Sequence, residues 1–213
     1  MRIAIVDYGM GNLHSVTKAF EHVAGDTADI VLTDDPLVVE AADKVVFPGQ
    51  GAMPDCMRHL QLSGLEQSVR DAASRKPFLG ICIGAQLLFD HSEEGDTPGL
   101  SIFAGDVVRF PKAQMVDEHG QKLKVPHMGW NEMFIRQDHP LWAGIPDRDR
   151  FYFVHSYHFR PSDDITVIES AYPYRFAAAV ARDNIFAIQC HPEKSHHAGL
   201  QLLKNFVHWD GRP

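Results

Sequence analysis

The segment at residues 80–84 constrains this chain more than any other part of its sequence. It reads Gly-Ile-Cys-Ile-Gly after an apolar run that begins at Pro77, the pattern of a nucleophile on a sharp strand-to-helix turn. The glycines let strand and helix cross closely, and a helix over residues 85–90 would place positive potential beside the sulfur of Cys82. The pattern is also compatible with a buried structural cysteine, because free cysteines often pack as small apolar residues.

Short apolar runs alternate with helical patterns over the first 90 residues. Strands are predicted at residues 2–7, 30–32, 44–47 and 77–81, and helices at 13–23, 36–43, 53–60 and 64–75. Asn12 is placed to cap the first helix. This alternation is typical of βαβ units with right-handed crossovers, and therefore of a parallel sheet.

The second half of the chain has a different pattern. Short strand candidates lie at residues 106–110, 123–127, 132–136, 151–155, 165–170, 176–181 and 185–189, with turn signals at 118–120 and 182–184. A closing helix is predicted at 196–209. We therefore predict an α/β protein with a mostly parallel sheet, a mixed or antiparallel C-terminal extension, and one domain over residues 1–213.

The composition restricts partners and compartment. A formal net charge of −8 over 213 residues disfavours nucleic acid, because contact with phosphates needs a basic surface. Apolar runs are too short for a membrane span, and the first residues predict a strand rather than a secretion signal. Three widely spaced cysteines indicate a reducing, cytoplasmic environment rather than a disulfide framework.

A cysteine nucleophile needs a base, and one of the thirteen histidines stands out. His191 follows a predicted strand and precedes Pro192, which favours an extended backbone. In an extended segment His191 and Glu193 point the same way, so Glu193 can orient the imidazole as a triad carboxylate does. Two other interpretations stay open: Glu193 as a first-turn acid of the last helix, and a metal site built from Cys190 and the histidines around it.

Cofactor signals are weak. Gly9 and Gly11 follow the first strand, but His14 stands where a dinucleotide-binding loop needs its third glycine. The loop Pro-Gly-Gln-Gly at 48–51 follows the third strand, at the edge where open α/β sheets place ligands. Neither His-Glu-x-x-His nor Cys-x-x-Cys occurs, so we expect no metal and no cofactor.

Several segments together resemble a known family. Residues 80–86 with His191-Pro192-Glu193 resemble the class I (triad) glutamine amidotransferases. Residues 7–13, 48–51, 126–131, 152–157 and 191–195 are similar to the glutaminase subunits of imidazole glycerol phosphate synthases. The resemblance extends in order over nearly the whole chain. Its most specific parts are Pro-His-Met-Gly-Trp-Asn at 126–131 and Phe-Val-His-Ser-Tyr at 153–157.

The resemblance implies a flavodoxin-like sheet with helices on both faces, and it implies roles for particular residues. Cys82 would be the nucleophile, His191 the base and Glu193 its partner. The substrate glutamine would be held by Gly49, Gln50, Gly51 and Gln86, with backbone N–H groups of Ile83 and of Gln50 or Gly51 as the oxyanion hole. Asn12, Tyr157 and Lys194 would lie near a partner interface. Ala85, Gln50 and Cys190 differ from residues common in the family, but none of them removes a reacting group.

The resemblance also implies a partner. Ammonia from glutamine would pass to a (β/α)₈ cyclase subunit in a heterodimer, which would make imidazole glycerol phosphate in histidine biosynthesis. The glutaminase would be nearly silent until the synthase binds its ligand. Rival interpretations are a glutaminase for anthranilate or pyridoxal phosphate synthesis, a DJ-1-like cysteine hydrolase, and a binding module with an inactive site. The segments around Trp130 and Tyr157 favour the histidine pathway, and the presence of all three triad residues argues against the last two.

Overall fold

The computed structural model describes residues 1–116 and 120–213, which form a layered α/β fold. The strands are β1 Arg2–Val6, β2 Asp29–Thr33, β3 Lys44–Phe47, β4 Phe78–Ile81, β5 Phe89–Ser92, β6 Thr97–Pro98, β7 Phe103–Arg109, β8 His127–Glu132, β9 Phe134–Ile135, β10 Arg150–His155, β11 Tyr157–Pro161, β12 Thr166–Ala171, β13 Arg175–Arg182 and β14 Ile185–Ile188. The helices are α1 Leu13–Ala24, α2 Pro36–Ala41, α3 Met53–Leu62, α4 Glu66–Arg75, α5 Ile83–Gln86 and α6 His196–His208. The predicted turn at 118–120 lies largely outside the described residues.

The main sheet is parallel on one side and mixed on the other. Strands β2-β1-β3-β4-β14 run parallel, an order typical of flavodoxin-like sheets. Strands β13, β11 and β7 extend the sheet in antiparallel fashion, and β5 and β6 complete it. Strands β8 and β10 form a separate antiparallel pair, here called the ribbon. The predicted mostly parallel sheet with a mixed extension is confirmed.

Helices cover both faces of the parallel half. Helix α1 packs on α6, with Phe20 and Phe206 in edge contact at 5.9 Å between ring centroids, while α2 packs on α4. The crossovers from β1 to β2 and from β2 to β3 run in opposite directions, so right-handed connections place α1 and α2 on opposite faces. Among the described residues, none of the helices has the length and apolar character needed to cross a bilayer.

Covering both faces explains why the central strands are apolar throughout. Every residue of β3, β4 and β14 is buried, as expected for parallel strands between two helical layers. The carboxyl ends of parallel strands share one edge of the sheet. The loops that follow β1, β3, β4 and β14 therefore come together there, and this edge carries the candidate site.

The prediction of a helix at residues 85–90 is wrong. Only the single turn α5 forms, and the chain then enters strand β5. The carbonyls of Leu87 and Leu88 accept hydrogen bonds from the N–H groups of Leu100 and Ile102, at 2.7 and 2.8 Å, instead of continuing a helix. Phe89 stacks on Phe159 of the antiparallel extension at 5.1 Å. Tertiary pairing has overridden a local helical pattern.

Three further expectations need correction. The strand predicted at 123–127 is displaced to β8, because Pro126 has no N–H to contribute to a ladder. The strand predicted at 132–136 is split between the end of β8 and the short β9. Asn12 occupies the cap position of α1, but within the described part of the chain its side chain makes no capping hydrogen bond.

Candidate active site

Cys82 lies on a strained turn between β4 and α5. Its φ of 55° and ψ of −115° are a backbone conformation that side-chain-bearing residues rarely adopt. A Cβ on Gly84 would lie 1.9 Å from the carbonyl oxygen of Phe47, and one on Gly80 would lie 3.0 Å from the Cα of Ala85. Both glycines are therefore needed for the close crossing, which is the reason for the Gly-x-Cys-x-Gly spacing.

The His–Glu pair comes to the same edge. Strands β4 and β14 are adjacent and parallel, with Ile81 opposite Ile188, so Cys82 and His191 both follow strand ends that lie side by side. His191 is extended, as predicted, but Glu193 lies in a 3₁₀ turn over Pro192–Lys194 rather than in an extended segment. That turn brings the Oε1 atom of Glu193 to 2.8 Å from Nδ1 of His191.

Burial and charge compete at His191. The side chains of His191 and Glu193 are 5% and 1% exposed. Burial lowers the pKa of His191, but the neighbouring Cys82 sulfur and the hydrogen bond to Glu193 outweigh it and raise the pKa to about 10. The other ring nitrogen, Nε2, is buried and finds no hydrogen-bond partner among the described residues. An imidazolium in this place carries its positive charge beside the sulfur of Cys82.

A cavity of about 270 Å³ opens over the sulfur. Its walls include six residues singled out from the sequence: Gln50, Gly51, Cys82, Ile83, Gln86 and His191. Tyr157, predicted near a partner interface, lines this cavity as well. Gly49 lies behind the wall, where a Cβ would come within 2.2 Å of the Tyr8 hydroxyl. Asn12 is exposed outside the cavity, and Lys194 is half-buried at the end of the 3₁₀ turn that carries Glu193.

Glu94 and Gln189 are among the polar residues at the site that were not predicted. Glu94 lines the cavity, and its Oε2 accepts the N–H of Met53 at the start of α3, at 2.8 Å. Gln189 lies below the sulfur, with its Nε2 at 4.0 Å from Cys82 Sγ and its Oε1 accepting from Gln86 Nε2 at 2.9 Å. Gln189 was visible as the last residue of a predicted strand. The sequence pattern did not point to Glu94. This residue follows strand β5, which begins where the helix at 85–90 was expected.

The residues of the alternative metal site diverge. Cys190 is wholly buried, and burial raises the pKa of its thiol well above the usual value. His196 is exposed, and its ring stacks on Trp130 at 4.7 Å between centroids. No group of three or more His, Cys, Asp or Glu within residues 1–116 and 120–213 is arranged to hold a metal ion. The three cysteines, all of them described, are unlinked.

One side of the ribbon is open to solvent. Met128 and Trp130 of β8 are 63% and 43% exposed, although both are large and apolar. Tyr152 of β10 lies opposite Trp130 and contacts it edge to face at 6.0 Å. We call Met128, Trp130 and Tyr152 the outer face of the ribbon. It adjoins the segment at His191, because the N–H of His191 donates to the carbonyl of Tyr152 at 2.9 Å.

Comparison with known proteins agrees with this fold. The chain belongs to the class-I glutamine amidotransferases, whose family model matches residues 4–209. It is 62% identical to imidazole glycerol phosphate synthase subunit HisH of Chromobacterium violaceum, over 99% of both chains. It is 63% identical to the subunit of the same name from Aromatoleum aromaticum, over 97% of this chain and 98% of that one. Within the class, its family is therefore that of the HisH subunits, which confirms the resemblance.

A solved structure extends the likeness of fold. A putative GMP synthase subunit from Thermoplasma acidophilum superposes with a TM-score of 0.71 at 21% identity, covering 98% of this chain and 92% of that one. At that identity the match concerns the fold alone. It supports the flavodoxin-like arrangement with its mixed extension.

Proposed function

We propose that this chain is the glutaminase subunit of an imidazole glycerol phosphate synthase, with Cys82 as nucleophile. It hydrolyses glutamine to glutamate and ammonia and passes the ammonia to a partner cyclase. The observation that carries the proposal is the buried His191–Glu193 pair, 2.8 Å apart, beside an elbow cysteine in a cavity of about 270 Å³. The relatives at 62 and 63% identity, named as synthase subunits, indicate the reaction that this site serves.

The cavity offers partners for the polar groups of glutamine. The Oε1 atom of Gln86 is buried and has no partner among the residues described, while Nε2 of the same side chain is held by Gln189. A donor from the substrate would satisfy that oxygen, as buried polar atoms require. The carboxylate of Glu94 is placed in the same cavity and pairs with the substrate's α-ammonium group.

Acylation follows from the arrangement of donors. The thiolate of Cys82 attacks the side-chain carbonyl carbon of glutamine, and negative charge develops on the oxygen. Ile83 is the first residue of α5, so its N–H has no acceptor within the helix and serves that oxygen. His191 then gives its proton to the departing nitrogen. The C–N bond breaks, ammonia leaves, and a glutamyl thioester remains.

The second oxyanion donor is assigned to Gly51 rather than Gln50. The carbonyl of Gln50 lies 3.9 Å from the thiol of Cys56, which is buried on the interior side of the loop. The C=O and N–H of a trans peptide point in opposite directions, so the Gly51 N–H is turned away from Cys56. Gly51 lines the cavity at a φ of 134°, which favours glycine.

Deacylation restores the resting site. His191, now neutral, takes a proton from water, the resulting hydroxide attacks the thioester, and the C–S bond breaks, so the thiolate and imidazolium return. The γ-carboxylic acid formed releases its remaining proton to water and leaves as glutamate. Glu193 stabilises the imidazolium formed in each cycle. Free ammonia in neutral water becomes ammonium and is no longer a nucleophile, so direct transfer to a (β/α)₈ cyclase is the productive route. We assign Asn12, Lys194 and the outer face of the ribbon to the partner side, and Tyr157 to the substrate cavity.

The chain acts as one glutaminase domain over residues 1–213. Its buried apolar residues form one continuous cluster from Ile3 to Trp209, which includes both the parallel half and the extension. The family match over residues 4–209 supports the same extent.

The test uses the complex with a (β/α)₈ cyclase, supplied with either glutamine or an ammonium salt. The Cys82→Ala complex should lose glutamate release and glutamine-dependent product formation, yet still make product from ammonium. Cys190→Ala is the matched control: it removes a buried thiol next to His191 and should keep most of the activity with glutamine. Glutamine turnover by the Cys82→Ala complex would contradict the assignment of Cys82 as the nucleophile. A wild-type complex that is inactive with glutamine would contradict the proposed glutaminase function.

A further inference from the structure

We infer that His127 and His155 form a neutral hydrogen-bonded relay that positions the carbonyl of Tyr157 and, through it, the side chain of Gln86 in the substrate cavity. The inference rests on the proposed function in taking the cavity as the glutamine site. The two histidines belong to the two most specific segments of the sequence, 126–131 and 153–157, and neither takes part in the chemical steps above. They face each other as cross-strand partners in the ribbon.

The contacts fix where each proton lies. A carbonyl oxygen only accepts, so Nδ1 of His155, at 2.7 Å from the oxygen of Tyr157, carries a proton. A neutral His155 then accepts at Nε2, and Nδ1 of His127 donates to it at 2.9 Å. His127 in turn accepts at Nε2 from the amide of Asn131 at 3.2 Å. That amide is oriented by its second hydrogen bond, to the carbonyl of Ala171 at 2.9 Å.

The surroundings keep both rings neutral and in place. His127 is stacked between Tyr172 and Phe153, with centroid distances of 4.0 and 4.9 Å. Burial lowers the pKa of His127 to about 4, and burial together with His127 lowers the pKa of His155 well below the usual value. A second proton on His155 would also set two N–H donors against each other across the 2.9 Å contact.

The relay ends in the substrate cavity. His155 and Tyr157 both line it. The Tyr157 oxygen that accepts from His155 also accepts from Nε2 of Gln86 at 3.3 Å. Together with Oε1 of Gln189, which accepts from the same Nε2 at 2.9 Å, this contact sets the amide of Gln86 and leaves its unpartnered Oε1 for the substrate. Loss of the His155 donor would release the Tyr157 carbonyl, one of the two acceptors that hold the Gln86 amide, so His155 is a positioning residue for glutamine binding.

Kinetics of the cyclase complex test the relay through two substitutions at one position. His155→Asn retains a donor where Nδ1–H stands, whereas His155→Leu keeps the bulk and removes the donor. We expect His155→Leu to raise the KM for glutamine about tenfold, with a smaller fall in kcat, and His155→Asn to recover most of the loss. Equal KM values for His155→Leu and the wild type would overturn the relay, as would equal losses in both variants.

A second measurement needs no variant and no activity. Nitrogen-15 NMR of the wild-type complex should show His127 and His155 as neutral Nδ1–H tautomers, without a change of charge between pH 5 and 8. An Nε2–H tautomer at His155, or titration of either ring in that range, would also overturn the relay. A wild-type complex that does not hydrolyse glutamine contradicts the proposed function instead, because the tautomers are read independently of turnover.

Discussion

Individual residues of the turn at Cys82, between β4 and α5, explain why its sequence pattern is easy to recognise. The positions of Gly80 and Gly84 are set by steric contact with a neighbouring helix and strand, and steric rules depend on few atoms. The polar environment of Cys82 is less local. It depends on His191, more than 100 positions further along the chain, whose charge depends on Glu193. Predictions at this scale therefore concern either a steric clash at a glycine or the charge of the His191 side chain.

Replacing Gly49 tests a clash behind the cavity wall. In Gly49→Ala the new Cβ would meet the Tyr8 hydroxyl at 2.2 Å, so we expect a loss of about 1–3 kcal/mol in the free energy of unfolding. Tyr8→Phe alone should cost little, because that hydroxyl is buried and unpartnered in the described part of the chain. Urea unfolding of both single variants and the double variant gives the coupling. Additive losses in the double variant would show that the hydroxyl is not the obstacle.

Removing the sulfur tests the charge balance at His191. In Cys82→Ala the largest influence that raises the pKa of His191 is lost, while the lowering effect of burial remains. We therefore expect that pKa to fall below its wild-type value, as followed by NMR of the imidazole against pH. Cys190→Ala should leave it unchanged, since Cys190 does not contribute to the shift. A pKa equal in Cys82→Ala and the wild type would mean that Glu193 alone sets it.

The same shift affects stability at alkaline pH. The pKa of His191 in the folded protein, about 10, is above the 6.5 of a free histidine, so folding favours the protonated form. This contribution is complete below pH 6.5 and is lost as pH rises through the folded pKa. The wild type should therefore lose more unfolding free energy between pH 7 and 10 than Cys82→Ala does. A parallel decline in both proteins, measured by urea unfolding, would contradict the linkage.

Among the elements, those formed by local signals were predictable and those formed by distant pairing were not. Helix α2 begins where Asp35 accepts the N–H of Leu37 at 2.9 Å and Pro36 fixes the first turn, both readable in sequence. The stretch after α5 has helical spacing, yet its carbonyls pair with residues 99–102. Glu94 entered the site through that unpredicted pairing. Strand β8 begins later than predicted because Pro126 cannot donate to a ladder, and its register then depends on its partner β10.

Helix α6 is held to the sheet by a buried lysine. The ammonium group of Lys44, at the start of β3, donates to the carbonyls of Phe206 and Val207 at 3.0 and 2.8 Å and also to that of Trp209. These are carbonyls at the end of the helix, where intrahelical donors run out. Lys44 lies at the opposite end of β3 from the site. The contact therefore supports stability rather than chemistry.

Lys44→Met should separate those two roles. Loss of the charge-assisted bonds should lower the free energy of unfolding by about 2–3 kcal/mol, while kcat/KM for glutamine in the cyclase complex stays near the wild-type value. Lys204→Met removes an exposed lysine from the same helix and should change neither quantity. Equal stability of Lys44→Met and Lys204→Met would show that solvent caps the helix as well as Lys44 does.

At the scale of the whole molecule, the cavity over Cys82 and the exposed apolar surface lie at the same edge of the sheet. The ribbon separates them. Its inner side carries His127 and His155, of which His155 lines the cavity, and its outer face presents Met128 and Trp130 to solvent. An aromatic side chain held out of the core is a typical anchor for a protein partner. Trp130 is also pre-ordered, because its ring stacks on His196 with an interplanar angle of 4°.

Trp130 should therefore dominate binding of the cyclase. We expect Trp130→Ala to raise the dissociation constant of the cyclase complex tenfold or more, a loss of at least about 1.4 kcal/mol of binding free energy. An aromatic anchor that becomes buried on binding contributes more than the contacts around it. Leu62→Ala is the matched control, since Leu62 is more exposed than Trp130 but lies at the end of α3, away from the ribbon. Calorimetric titration of the cyclase into each variant measures the effect. If Leu62→Ala weakens binding and Trp130→Ala does not, the partner docks on another face, and the ribbon cannot be the element that joins partner and substrate.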